Sequence, residues 1–451
     1  MSTPISGPRG WPLFGVVLPF GKDPLGYLER MQREYGDLSR YRLGPLSVLQ
    51  VNHPDAIEQV LVTNHRHFIK DVGTRDLMPI VGRGLLTSEG ELWKRQRKAI
   101  APMLQRAKIG RYGEAMTSLT AAWEASLAPD VVQDVRGDLM HLTLSVVMRA
   151  LFDEDAGPMV ERVGHAVDVL MIEFVETIQS WKRALPSWWP VAGRKRFAGS
   201  VTELRSMATA MIEGKRASAG SASGSSGDDM VSRLLALRLE DGTELSTEQI
   251  ADELLTMLLA GHETTALALT YALHLLVRHP EVLERAHAEL DAALGARDPT
   301  IDDADALPFT KAIFLETLRL YPPAWAIGRE AIEPTEVSGH AVRVGEQLFI
   351  SQWVVHHDPR WWPEPLAFRP ERWLDGSANA VPRFAYFPFG GGPRVCIGNH
   401  FAEMEGVLVL ATLLRRRTVE AVAECPPLEL LPSVTIRPKN PVLVRLKRRV
   451  G

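Results

Sequence analysis

The sequence predicts a mainly α-helical protein with a minor β-rich part. Three observations lead there. A helical apolar pattern of about 34 residues occupies mid-chain, apolar residues recur at spacings of three and four through most of the chain after residue 77, and β-branched runs are confined to the start, to residues 336–355 and to the end from 428. In chain order, residues 24–64 alternate periodic segments with short β-like runs at 39–43 and 47–51. Gly44-Pro45 between those runs predicts a turn, and so a small early sheet. Residues 99–127 and 139–151 read as helices. Residues 217–227 are only Ala, Ser and Gly, a composition too flexible and polar to pack, which predicts a surface loop between helices. The strongest helix prediction covers 246–279. Ser246 and Gln249 form a capping-box pattern, Pro280 stops the helix, and a largely apolar rod of roughly 50 Å must cross the interior.

Composition narrows the function classes. Length alone allows two or three domains or one large fold, and the 451 residues are read as a single domain, 1–451. With 51 basic and 55 acidic residues the net charge is −4, which gives no broad attraction to nucleic acid or to an anionic membrane. Two cysteines, Cys396 and Cys425, cannot build a disulfide framework, and no CxxC or CxxCH pattern occurs. The N-terminus lacks the basic start and apolar core of a secretory signal. Gly261-His-Glu-Thr-Thr265 interrupts the best candidate for a membrane span. These features predict a cytoplasmic protein without an integral membrane anchor, working as a monomer.

The chemistry concentrates at Phe389-Gly-Gly-Gly-Pro-Arg-Val-Cys396-Ile-Gly398. Gly390, Gly391 and Gly392 permit a backbone that lies flat against something large or turns through conformations closed to other residues. Cys396 falls at the N-terminal end of a predicted helix, where unpaired N–H groups favour sulfur as an anion. Such a thiolate suits a nucleophile, a redox sensor or a metal ligand. Phe389, Gly392, Arg394, Cys396 and Gly398 together make F-x-x-G-x-R-x-C-x-G, which resembles the haem-binding loop of the cytochrome P450 family. The resemblance implies that family's fold and a non-covalent haem b. It also implies Cys396 as axial ligand, Phe389 packed near the sulfur and Arg394 reaching a propionate. A thiolate in that place pushes electron density onto iron and favours O–O cleavage.

Inside the long predicted helix, Ala260-Gly261-His262-Glu263-Thr264-Thr265 is a poor choice on propensity. Gly261 costs about 1 kcal/mol relative to alanine, and Thr264 can turn its hydroxyl onto the carbonyl of Ala260. Local rules broken in the best helix point to a site. The segment resembles the family's A-G-x-[D/E]-T pattern, which places Ala260 and Gly261 at the haem face, Thr264 beside bound dioxygen and Glu263 as the acid feeding protons inward. Glu316 and Arg319, three apart on an apolar helix, share one face. By resemblance, Arg372 in Phe368-Arg-Pro-Glu-Arg-Trp373 completes a Glu-Arg-Arg network that serves folding and haem retention. Trp93 and Arg97 resemble the family's W-x-x-x-R, and Arg329 matches a third propionate arginine.

The implied activity is monooxygenation of a hydrophobic small molecule, with a fatty acid or terpenoid favoured. By resemblance, pocket walls come from residues 71–87, 169–189, the middle of the long helix and 323–327. They offer Met171, Ile172, Phe174, Trp181, Leu259, Ala260, Trp325 and Ile327. A ligand sensor or carrier without turnover and a peroxide-driven peroxygenase are the rivals, and the Glu263–Thr264 pair speaks against both. Two cysteines are too few for a four-cysteine cluster, and no dinucleotide fingerprint follows a predicted strand. Electrons must therefore come from a ferredoxin or flavodoxin with its reductase, docking on Lys94, Arg95, Lys98 and Arg106.

Overall fold

The computed structural model describes residues 5–104, 110–153, 157–178, 193–219, 229–238 and 242–449. Arg106, Trp181 and residues 220–227 lie outside them, while Ala217–Ala219 of the expected loop instead end a helix. The early sheet forms as the turn signal predicts. After α1 (Pro24–Tyr35), whose first turn is capped by the Asp23 side chain, β1 (Leu38–Leu43) and β2 (Leu46–Val51) pair antiparallel, with Gly44 at φ +62° in the turn. Three distant strands complete this sheet: β3 (Phe68–Lys70), β5 (Ile327–Ala331) and β8 (Gln347–Ile350). The order is β1-β2-β8-β5-β3, and only the β2–β8 pair is parallel.

Region 336–355 is more divided than its composition suggests. β6 (Thr335–Val337) and β7 (His340–Val342) form a separate ribbon, β8 joins the large sheet, and Gln352–His356 is a helical turn. Ser351 causes the switch, because its hydroxyl accepts the Val354 N–H (3.3 Å) as an N-cap. At the other end β4 (Asp130–Asp134), β12 (Leu443–Arg448) and β9 (Arg417–Ala421) form a three-stranded sheet. β10 (Leu430–Pro432) and β11 (Ile436–Pro438) form a hairpin.

The helical bulk comprises α2 (Gly90–Ile100), α3 (Gly113–Ser126), α4 (Val135–Phe152), α5 (Pro158–Ile178), α6 (Arg194–Ala219), α7 (Thr247–Leu276), α8 (Pro280–Leu294), α9 (Pro308–Leu320) and α10 (Asn399–Arg416). The helical pattern expected over 99–127 is interrupted among the described residues. α2 ends at Ile100, where Pro102 sits in a tighter turn over Ala101–Met103, and α3 begins at Gly113. The apolar period survives the break because Ile100, Met103, Tyr112 and Met116 all face one core.

α7 carries the predicted capping box, with Ser246 and Gln249 bonding reciprocally. It ends at Leu276, three residues earlier than expected. Bonds of the tighter i−3 type close it, His279 N–H to Leu276 O among them (3.2 Å), and Pro280 opens α8 at the first helical position. At 30 residues it is about 45 Å long. From Ile250 to Leu276 every residue is buried except Leu259, Ala260, Gly261 and Thr264. α10 lies close on α9, where a Cβ at Gly406 would meet the Phe314 ring at 2.3 Å.

Candidate active site

The cysteine loop is held by its own backbone. The Cys396 N–H donates to Phe389 O (2.9 Å) and the Gly390 N–H to Phe387 O (2.9 Å). Gly390 and Gly392 take φ of +73° and +66°. Gly392 is required twice over, since a Cβ there would stand 1.8 Å from Leu61 O. Gly398 caps α10, so Cys396 precedes the helix instead of lying in its first turn. The sulfur is exposed, yet the surrounding chain desolvates it. That crowding holds its thiol above the ordinary range, against the Gly398 N–H, Arg97 and Lys70. For the free thiol, desolvation outweighs the nearby positive groups. Exposure combined with desolvation describes a side chain facing a recess within the protein.

Burial also lapses midway along α7. Ala260 is exposed, and Leu259, Gly261 and Thr264 are partly so, midway along a helix otherwise sunk in the core. The Thr264 hydroxyl donates to Ala260 O (2.9 Å), as its helical position predicts. The His262 ring contacts Leu258 O (2.6 Å), and Thr143 donates to His262 O (2.9 Å). This stretch is thus crowded with side chains bonded to helix carbonyls.

A group of cations lies near the cysteine. Arg97 stands 5.9 Å from the Trp93 ring centre and Arg394 4.0 Å, so Trp93 serves both guanidiniums. Arg394 also pairs with Glu89 and donates to Ser88 O (2.8 Å). Arg329 is buried, donates to Gly328 O (2.7 Å), and is the direct cross-strand partner of Lys70 in the β3–β5 register. Lys70 is a residue the sequence did not single out. Burial, reinforced by Arg329 and Arg394, lowers its ammonium to about 7, and burial first also lowers Arg394 to about 10. Like charges directly opposite are unfavourable in a sheet. Four cations face two carboxylates, Glu89 and Asp71, and the surplus matches a ligand that carries two carboxylates, as haem does. Among the described residues no group of three or more His, Cys, Asp or Glu could hold a metal ion. A single sulfur donor suits a metal that arrives with most of its own ligands. On donor set, charge and open wall the residues fit haem.

Glu316 is fully buried. Its carboxylate accepts from Arg319 Nε (2.9 Å) and Nη2 (2.8 Å), Arg372 Nε (3.3 Å), Trp373 Nε1 (3.0 Å) and the Arg369 N–H (3.2 Å). Arg319 spends its other protons on His356 O, Pro365 O and Ala367 O (2.9, 2.7 and 3.1 Å). The His356 ring in turn accepts the Phe387 N–H (3.0 Å), two residues before Phe389. The three residues expected to form a network do so. His356 and the backbone carbonyls that complete it carry no sequence signal of their own, and Trp373, within the motif of Arg372, joins through its indole N–H.

Two buried carboxyls, Glu263 on α7 and Glu405 beside Thr265, have contrasting surroundings. Glu263 is buried and bonded to the β10–β11 hairpin, accepting from Thr435 Oγ1 (2.5 Å) and Arg437 Nε (2.6 Å). Burial raises its pKa, but Arg437 and Thr435 outweigh that and hold it below the usual carboxylate range. Glu405 on α10 is fully buried, and neither oxygen has a well-formed hydrogen bond. Burial pushes it up to about 8, opposed by the Thr265 hydroxyl. The folded protein thus keeps a proton there that the unfolded chain, at an ordinary 4.5, releases. This contribution to stability is fully present below the unfolded value and is lost as pH rises through about 8. Glu405→Gln is expected to melt with the parent at about pH 4.5 and above it near pH 8, the gap growing by up to about 1.4 kcal/mol per pH unit. Equal melting temperatures at both pH values would show that Glu405 titrates normally.

The substrate candidates scatter. Ile327 lies against the cysteine loop, its Cδ1 3.2 Å from where a Gly390 Cβ would stand, and Leu259 is on the open stretch of α7. Trp325 is buried among other residues, 5.8 Å from Phe349 between ring centres, with its indole N–H on Ser433 O (2.9 Å). Met171 and Phe174 are core residues of α5, and Ile172 is exposed.

The comparisons with known proteins agree in kind. A model of the cytochrome P450 family matches residues 5–445. The chain is 35% identical over 433 residues to cyclooctatin synthase of Streptomyces melanosporofaciens, covering 96% of this chain and 91% of that protein. It is 33% identical over 413 residues to cyclooctat-9-en-7-ol 5-monooxygenase of the same organism, covering 91% and 88%. The crystal structure of the cytochrome P450DA heme domain superposes with a TM-score of 0.87 at 25% identity, over 99% of this chain and 98% of that one. Fold, ordered motifs and relatives thus converge: the chain belongs to the cytochrome P450 family and is a haem-dependent monooxygenase.

Proposed function

We propose that this protein, a single domain over 1–451, holds haem b non-covalently with Cys396 as axial ligand and hydroxylates or epoxidises a terpenoid-like hydrocarbon. The observations that support this reading are an exposed, desolvated cysteine beside a surplus of cations, and a long buried helix whose burial lapses at Leu259–Gly261 and Thr264. Bound haem supplies dioxygen activation and oxygen-atom transfer. Trp93, Arg97, Arg329 and Arg394, with Lys70, hold its carboxylates. Ala260 and Gly261 leave room for its face, while Phe389, Gly392 and Gly398 shape the loop around the sulfur. The Thr264 hydroxyl, able to exchange its bond to Ala260 O for a partner in the recess, is the group that hands on protons. Glu263 can supply them only when released from Arg437.

Thr264→Ala is expected to keep haem and substrate binding while a rising share of reducing equivalents is lost as hydrogen peroxide. Unchanged product per electron would remove Thr264 from proton delivery.

For the substrate, Leu259, Ala260 and Ile327 offer apolar surface, and one relative is named for acting on a largely hydrocarbon alkenol. Titration with cyclic terpenes is expected to shift the haem absorption as water leaves the iron, whereas small polar metabolites leave it unchanged; the reverse order would sink the substrate class. Electrons are proposed to arrive from a ferredoxin or flavodoxin with its reductase. Exposure of Lys94, Arg95 and Lys98 along α2 supports an acidic partner there. No helix among the described residues is long and apolar enough to cross a membrane.

A further inference from the structure

We propose that the N-terminal turn at residues 11–15, together with Leu18 and the cations Arg9, Lys22 and Arg42, is a docking surface for an anionic lipid bilayer. The turn presents Trp11 (68% exposed), Leu13 (79%) and Phe14 (61%), followed by Val17 (38%) and Leu18 (65%). Five large exposed apolar side chains thus fall within eight residues, whereas the other exposed ones among the described residues lie scattered along the chain.

The turn is a fixed feature. Trp11 and Gly15 exchange both backbone bonds (2.8 Å each), the Val16 N–H donates to Arg42 O (2.8 Å), and the Gly44 N–H donates to Phe14 O (3.0 Å). These bonds clamp it to the β1–β2 hairpin. Gly15 permits the contact, since a Cβ there would meet Arg42 O at 2.0 Å. Leu13 sits at φ +69°, a conformation that leucine rarely adopts. A strained backbone that leaves leucine 79% exposed gains little from burying the side chain.

Charge selects the occupant. Arg9, Lys22 and Arg42 are exposed, and no ion pair engages them among the described residues. Asp23 is the only acid between residues 5 and 28, and its side chain is engaged in capping α1. The whole chain is net negative at −4, so attraction to an anionic surface must be local to this rim. A protruding tip of tryptophan, leucine and phenylalanine ringed by cations matches the headgroup boundary, where the rings enter and the cations meet lipid phosphates. None of these residues is among those assigned to haem or substrate, so this inference does not depend on the substrate reading.

The test is co-sedimentation of the full-length, haem-loaded protein with phosphatidylcholine vesicles, with and without phosphatidylglycerol, at low and high salt. Partitioning is expected to be at least about tenfold stronger on the phosphatidylglycerol vesicles and to weaken with salt. Leu13→Ser/Phe14→Ser/Leu18→Ser should abolish it on both vesicles. Arg9→Glu/Lys22→Glu/Arg42→Glu should remove only the preference for phosphatidylglycerol. All six side chains are exposed, so the carbon monoxide spectrum and circular dichroism should match the parent. Absence of vesicle binding by the parent protein overturns the proposal, as does equal binding by the serine variant. Self-association that the serine variant relieves, without vesicle binding, would make this face a contact between copies of the chain instead.

Discussion

Glu316→Ala is expected to give little or no folded, haem-loaded protein. The parent carboxylate is fully buried and is met by two guanidiniums, an indole N–H and a backbone N–H. Removing it strands Arg319 and Arg372, which are 0% and 3% exposed, with no counter-charge. Breaking a buried pair from one side costs about 3–5 kcal/mol, against a whole-domain stability of roughly 5–15 kcal/mol. The damage should spread to the haem, because Arg319 also binds the His356 carbonyl and the His356 ring holds the Phe387 N–H, just before the cysteine loop. Glu316→Gln, which keeps the shape and one acceptor, should fall between parent and alanine variant. The measurement is haem absorbance per mole of soluble protein, followed by thermal unfolding. A Glu316→Ala variant that retains haem and melts within a few degrees of the parent would show that the network is dispensable.

What could be read from the sequence was local. The capping box at Ser246 and Gln249, the turn at Gly44 and the rule-breaking Ala260–Thr265 stretch are each decided by neighbours within four residues, and each appears in place. The Glu316–Arg319 pair belongs to the same class. Pairings between distant segments were not legible. Lys70 ends an unremarkable three-residue strand, and its meaning comes from being opposite Arg329 in a sheet assembled across the chain. Glu263 is bonded by a hairpin more than 170 residues later. Periodicity cannot reveal either contact. Glu405 did carry a signal, an acid inside the apolar run of α10, but only its complete burial beside Thr265 makes that signal interpretable. The desolvation of the Cys396 side chain is hidden for a related reason. Sequence shows the approach of a helix N-terminus and cannot show how much water the surrounding chain removes.

Cys396→Ser should have the largest effect on chemistry, since the loop offers no second sulfur: the other cysteine, Cys425, lies in the segment before β10. Serine preserves the loop's backbone bonds, including the N–H donated to Phe389 O, so the fold and the propionate cations should survive. An uncharged hydroxyl cannot supply the electron donation of a thiolate, and monooxygenation should fall to background. The direct test is the absorption spectrum of the reduced carbon monoxide complex, taken on the parent and on Cys396→Ser. The parent is predicted to show the strongly red-shifted Soret band of a thiolate ligand, and the serine variant to bind haem without it. A parent lacking that band, or a serine variant retaining it, would contradict the assignment of Cys396 as the ligand that makes this protein an oxygenase.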